Sequence, residues 1–314
     1  MTAWRELQPV RVRAPGSTSN LGAGFDCLGL ALRRYLHASY TPGPTPLRVD
    51  YRGTLRGLEL PPGRDLSARA FLAELERRGG GATGGVIVLD SEIPLARGLG
   101  SSGAAIVAGQ ALAAGAAGER ALTHHRLLDA AVALEGHPDN VAASLCGGLV
   151  AIYRAVQGGS RALRLPLSDQ LVFAYAAPGM ALSTSQARAA LPLTVAHASA
   201  ARQVSRMAAL LHGLATGDEA ALRAGFEGEL HVPYRLPLIP GGAAALGVAH
   251  EAGALAATIS GSGSGLIAAC RPEHVARVAE AMAAAFRREA GEEGVVAFEA
   301  LPDFAGAVIE GGPA

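Results

Sequence analysis

The sequence predicts an α+β protein of two domains, and three observations carry that prediction. At 314 residues the chain is longer than a single core usually supports. Half of its residues are hydrophobic and 17% are charged, the balance of a well-buried globular protein. Strand and helix patterns are mixed in both halves without the strict alternation of a doubly wound sheet. A change from helical to short alternating patterns places the expected domains at 1–155 and 156–314.

Taken in order, residues 10–14 alternate apolar and basic side chains and read as a strand. Residues 15–26 follow as a long loop of small and polar residues, suited to close approach of backbone or ligand. Residues 35–40 and 47–51 read as strands, and 66–78 as an amphipathic helix stopped by Gly79, Gly80 and Gly81. A strand at 85–93 is followed by a glycine-serine loop and an alanine-rich buried helix at 104–117. Residues 122–136 form the next helix, closed by the turn from Gly136 to Asn140. Residues 149–176 alternate as short strands broken at Gly158 and Gly159. The second half continues with helical patterns at 194–228 and 242–252 and with strands at 255–259 and 265–270. Those two strands flank a loop of alternating serine and glycine. A helix at 272–289 and a closing pair of strands at 295–301 and 306–310 complete the chain.

Composition excludes several chemistries. With 27 basic and 27 acidic residues the net charge is zero, so neither nucleic acid nor an anionic membrane is expected as a partner through bulk charge. All 27 basic residues are Arg. Without lysine, a Walker-type phosphate loop, a protein-kinase active site and a Schiff base are ruled out, since each needs an ammonium at a fixed place. Cys27, Cys146 and Cys270 are far apart and read as reduced packing residues. The charged start of the chain and the absence of a long apolar run lead us to expect a cytoplasmic protein.

The strongest single signal is the stretch Pro94, Leu95, Ala96, Arg97, Gly98, Leu99, Gly100, Ser101, Ser102, Gly103, Ala104. It joins a strand to a helix N-terminus, where unpartnered amides and the positive end of the helix dipole suit a nucleotide phosphate. Its glycines can turn several amides to one concave side, and its serines add hydroxyls for phosphate or metal. A helix N-cap is the competing role for Ser102. Glu135, a carboxylate near a helix C-terminus where the dipole disfavours it, needs another reason to be there. Asn20, Asp26, Asp139 and Asn140 are short polar side chains in two loops, each otherwise a turn-capping residue.

Three loops of small residues, at 15–26, 94–103 and 260–265, stand in an order that resembles the GHMP small-molecule kinases. Ala14 to Asp26 resembles the first motif of that family, and Pro94 to Ser102 resembles its ATP loop. The run Glu135-Gly136-His137-Pro138-Asp139-Asn140-Val141-Ala142 is similar to a segment of its homoserine kinase branch. Ser260-Gly261-Ser262-Gly263 matches the last motif, with Ser264 and Gly265 where the family usually has Pro and Thr. The resemblance covers nearly the whole chain. It implies an N-terminal domain like ribosomal protein S5, a ferredoxin-like C-terminal domain and a homodimer. It further implies ATP with Mg²⁺ and phosphoryl transfer to the hydroxyl of a small molecule, L-homoserine, in threonine biosynthesis. Another GHMP kinase acting on mevalonate, a sugar or an isoprenoid intermediate is the alternative, as is an inactive binding protein of the same fold.

The same resemblance assigns residues. Residues 94–104 with Gly261 and Ser262 would hold ATP, and Ser102 with Glu135 the metal, Ser101 and Asp129 being their respective competitors. Asn20, Asp26, Asp139 and Asn140 would hold the ammonium and hydroxyl of the acceptor, and Thr184, Arg188 and Arg235 its carboxylate. Asn20 and Arg97 are the candidate catalytic residues. Asp65 departs from the Asn that this branch often carries at an adenine contact.

Overall fold

A computed structural model describes residues 7–81 and 83–311; the charged residues 1–6 of the sequence reading lie outside them. The chain runs β1 (Val10–Asn20), β2 (Gly24–Pro46), β3 (Arg48–Gly53), α1 (Leu66–Arg77), β4 (Gly84–Ser91) and α2 (Ser101–Ala116). Next come α3 (His124–Glu135), α4 (Asp139–Cys146), β5 (Leu149–Arg154), β6 (Ser160–Leu165) and β7 (Val172–Ala177). Then follow α5 (Thr184–Ala189), α6 (His197–Thr216), α7 (Glu219–Phe226), α8 (Val232–Arg235) and α9 (Gly242–Glu251). The chain closes with β8 (Ala256–Ile259), β9 (Leu266–Cys270), α10 (Val275–Ala290), β10 (Val296–Ala300) and β11 (Val308–Gly311).

The first sheet has seven strands in the order β11-β1-β2-β4-β3, with β5 and β6 branching from β2. The 23-residue β2 allows this: its first part, Leu28 to Leu30, pairs β5, and its later part, from Leu36, pairs β4. The second sheet has the order β10-β7-β9-β8, all antiparallel. Numbered along the chain that order is 4-1-3-2, with helices after the first and third strands, the ferredoxin-like pattern expected for this half. Helix α2 lies in the core of the first unit, 13 of its 16 residues being buried. Its alanines and glycines let α1, β1 and β2 pack closely on it.

Four sequence expectations change. Residues 15–20 are not a loop but the end of β1, paired with residues 24–35 of β2. Ser17, Thr18 and Ser19 have no exposed surface, and burial under the partner strand outweighs their weak strand preference. The turn from Gly136 to Asn140 is shorter than expected, because Asp139 opens α4; with no side-chain cap, that eight-residue helix announces itself poorly. The change of sheet does not fall at 155/156. β6 still pairs β5, so the chain crosses to the second sheet between Leu165 and Val172. The two closing strands are not partners: β10 joins β7, whereas β11 returns to pair β1, so the first sheet contains both ends of the described chain.

Candidate active site

A cleft of about 400 Å³ runs between the two units. Three small-residue segments, far apart in sequence, are fastened together along it. Ser17 N–H donates to Leu99 O at 3.0 Å, and Gly261 N–H to Ser19 O at 3.0 Å. Ser260 Oγ lies 2.7 Å from Gly98 O and 2.9 Å from Thr18 Oγ1. A side chain at position 98 would meet Ser260 O at 1.9 Å, so only glycine lets the second and third segments approach this closely.

At the centre of the cleft α2 begins. Gly100 is its N-cap in the left-handed conformation, φ 63°, and no side chain caps the helix. The first-turn amides therefore retain donors for an anion. Ser102 is not the N-cap; its hydroxyl donates to Glu135 Oε1 at 2.5 Å. Burial raises the pKa of Glu135, partly offset by the Ser102 hydrogen bond and His137. Asp129 is turned away, its Oδ1 accepting from Ser160 N–H at 2.5 Å in the β5–β6 turn. Among the described residues no cluster of three or more His, Cys, Asp or Glu could hold a metal alone. Two hard oxygens, from Ser102 and Glu135, are the donor type that suits Mg²⁺.

Beside Glu135, His137 lies 3.1 Å from Asp139 Oδ1 and 3.5 Å from Glu135 Oε1. Burial alone would lower the pKa of His137, but the Asp139 and Glu135 carboxylates together outweigh it and raise the value. Burial would likewise raise Asp139, yet His137 and the Asn140 amide hold its carboxyl below the ordinary range. Asn140 spans the site: its Oδ1 accepts from Ser17 Oγ at 2.9 Å and its Nδ2 donates to Ser19 Oγ at 3.1 Å.

The far end is cationic. Arg188, on α5, makes a two-pronged pair with Asp26 at 2.8 and 3.2 Å. Arg235, at the end of α8, is 1% exposed and lies over the Phe25 ring, 5.1 Å from its centre. Its Nε donates to Ala187 O at 3.2 Å and its Nη1 to Gly261 O at 3.4 Å, and no carboxylate pairs with it among the described residues. Burial and the neighbouring Arg188 bring its pKa down to about 10, so it stays charged at neutral pH. Thr184 Oγ1 lies 3.3 Å from Ser262 Oγ.

Comparison with known proteins gives this geometry a family. The family model described as GHMP kinases N terminal domain matches residues 66–148, and that described as GHMP kinases C terminal matches residues 207–288. The chain belongs to the GHMP kinase family. The homoserine kinase of Moorella thermoacetica is 41% identical to this GHMP kinase over 284 residues, 88% of this chain and 93% of that one. The homoserine kinase of Trichormus variabilis is 38% identical, covering 94% and 97%. The crystal structure of homoserine kinase from Cytophaga hutchinsonii superposes with a TM-score of 0.86 at 27% identity, covering 98% and 99%. A crystal structure of mevalonate kinase, at 12% identity and a TM-score of 0.67, shares the fold.

The cleft of this GHMP kinase gathers Asn20, Asp26, Leu95 to Ser102, Asp139, Asn140, Thr184, Arg188, Arg235, Gly261 and Ser262 into one lining. Pro94, Gly103, Ala104 and Glu135 lie outside that lining, Glu135 reaching it through Ser102. The two residues expected to act in catalysis are both bonded within the protein. The Arg97 guanidinium is spent on backbone carbonyls, Nη1 on Pro178 O (2.6 Å) and Gly294 O (3.0 Å) and Nη2 on Gly179 O (2.6 Å). It ties the loop at residues 94–104 to the second unit. Asn20 lines the cleft, but its Nδ2 donates to Gly261 O at 2.7 Å and its Oδ1 accepts from Asp26 N–H at 2.9 Å, so it positions those two groups. Gly261 and Ser262, expected to hold ATP, are bonded to Asn20, Arg235 and Thr184, which were expected to hold the acceptor.

The third segment departs from the family at Ser264 and Gly265, and the fold shows what takes up the space. A side chain on Gly265 would meet the Tyr175 hydroxyl at 2.1 Å. That hydroxyl donates to Arg97 O at 2.5 Å, and Ser264 Oγ donates to Met180 O at 2.7 Å. Sequence reasoning gave no role to His137, although it lies inside the quoted Glu135 to Ala142 run. It also missed the apolar end of the cleft, lined by Tyr51, Leu55, Leu58, Leu60, Leu89 and Leu95. Nothing in those scattered leucines marks them before folding. Asp65 stands there as the N-cap of α1, accepting from Ala68 N–H at 2.8 Å and from the Tyr51 hydroxyl at 3.0 Å. Burial and the Asp65 charge raise the Tyr51 pKa, which keeps the phenol a donor.

Proposed function

We propose that this chain is a homoserine kinase, transferring the γ-phosphoryl group of ATP to the hydroxyl of L-homoserine to give O-phospho-L-homoserine, a step toward threonine. The 38–41% identity to curated homoserine kinases over most of both chains supports the enzyme class, an ATP-dependent phosphotransferase acting on a hydroxyl. The observation that carries the substrate is the gathering of two acidic side chains, Asp26 and Asp139, and two basic ones, Arg188 and Arg235, in one cleft lining. An amino acid presents an ammonium to the first pair and a carboxylate to the second, and the planar fork of arginine suits the carboxylate.

In this reading the adenine lies in the leucine-lined end, and the phosphates lie on the loop amides and the α2 N-terminus. Ser102 and Glu135 would hold Mg²⁺, which would offset the charge on the phosphates. Asn140, fixed by Ser17 and Ser19, and Asp139 hold the acceptor hydroxyl between the two substrates. Phosphoryl transfer of this kind depends on positioning and charge neutralisation, so it does not demand a strong base. A homodimer completes the proposal. The test is a coupled ADP-release assay with L-homoserine, mevalonate, shikimate, galactose and L-threonine. Preference for L-homoserine is expected. Equal turnover of mevalonate, which has a carboxylate and no ammonium, would sink the assignment.

A further inference from the structure

Asp26 and Arg188 occupy opposite roles in the proposed acceptor site, yet they are bound to each other. Their two-pronged contact joins β2 to α5 across 162 residues of sequence. Both side chains line the cleft and are about one third exposed, 36% and 37%, so an entering molecule can reach the pair. Arg235 lies nearby without a carboxylate of its own, and its charge and that of Arg188 act on each other.

We infer that the Asp26–Arg188 ion pair is an internal stand-in for a zwitterion, opened by exchange with the acceptor; this rests on the homoserine reading. A molecule with both charges gives its ammonium to Asp26 and its carboxylate to Arg188, so one ion pair is replaced by two. A molecule with only an ammonium takes Asp26 and leaves Arg188 unpaired beside Arg235, where two guanidinium charges repel. A molecule with only a carboxylate finds Arg188 already taken. The pair therefore penalises acceptors with a single charge more than the loss of one contact does. Asp26 and Arg188 set specificity by being matched to each other.

Two variants test this. Asp26 has a φ of 51°, a conformation asparagine tolerates, so Asp26→Asn removes the charge without disturbing the turn. Arg188→Gln does the same on the other side, where the side chain is partly exposed. Each variant should lower kcat/KM for L-homoserine at least about tenfold. Arg188→Gln should raise kcat/KM for 3-aminopropanol roughly two- to fivefold over the unaltered enzyme, the release expected of a partly exposed pair. Asp26→Asn should do so for 4-hydroxybutanoate. ATP affinity, measured in parallel, reports that the variants are folded. Loss on every acceptor alike, or no gain on the single-charge ones, overturns the exchange while leaving the homoserine reading intact. Failure of the unaltered enzyme to prefer L-homoserine overturns both.

Discussion

Ser102 Oγ donates a 2.5 Å hydrogen bond to Glu135 Oε1, joining the first turn of α2 to the last residue of α3. The contact explains a carboxylate at a helix end that repels it, and it sets apart Glu135 from Asp129, whose oxygen is held by Ser160 N–H. Ser102→Ala and Glu135→Ala should each raise the Mg²⁺ concentration for half-maximal rate about tenfold or more, as removal of a metal-holding group does. The KM for homoserine should move less than twofold, and Asp129→Ala should titrate like the unaltered enzyme. A Mg²⁺ titration in which Asp129→Ala shifts and Glu135→Ala does not would reverse the assignment.

Arg235 reads the carboxylate in the proposed function. A hydrogen bond to a charged group contributes about 1.5 to 3 kcal/mol, so Arg235→Ala should lower kcat/KM for homoserine roughly ten- to two-hundredfold. Arg235→Lys should not restore it, because an ammonium lacks the fork. With 3-aminopropanol Arg235→Ala should be no poorer than the unaltered enzyme, since no carboxylate contact is lost and the repulsion on Arg188 is relieved. Equal losses on both acceptors would assign Arg235 to the fold.

Arg97 acts as a tie between units. Arg97→Gln gives up hydrogen bonds to Pro178, Gly179 and Gly294 and should reduce unfolding stability by about 2–4 kcal/mol, a few net bonds to a charged donor. Turnover at saturating substrates should stay within about threefold. A variant of unchanged urea midpoint that has lost turnover a hundredfold would restore Arg97 to the chemistry.

His231 makes stability depend on pH. It has no exposed surface, stacks on Phe25 at 5.2 Å and lies 3.0 Å from Gly22 O, to which Nε2–H donates. Burial, then the charge of Arg235, lowers its pKa to about 3. The unfolded chain takes up this proton near its ordinary pKa of about 6.5, whereas the folded chain resists it, so this group costs stability as pH falls from there toward 3. Within that window the slope is up to about 1.4 kcal/mol per pH unit. Urea midpoints at pH 7 and pH 5 should differ more for the unaltered protein than for His231→Phe, and equal differences would refute the assignment.

Much of the fold was readable before folding, and the reasons are local. Helix α1 is announced by Asp65 at its N-cap and a glycine run after it, and the strand and helix around the 92–100 loop by their apolar patterns. The capping box of α5, Ser183 with Gln186, was equally present in the sequence and shows that a six-residue helix can be signalled by its start alone. The 194–228 pattern divides at Gly217 and Asp218, a glycine C-cap followed by a side-chain N-cap.

Residue identity alone carried the family, the glycine-serine loop before α2 and the absence of lysine chemistry, because each depends on which atoms are available at a fixed spacing. Partnership was another matter. Whether Glu135 or Asp129 meets Ser102, whether Arg97 points at substrate or at Pro178, and whether Asp26 is free or held by Arg188 are contacts across 33, 81 and 162 residues. A side chain's role there depends on which donors and acceptors packing brings within 3 Å, and spacing along the chain does not encode that distance.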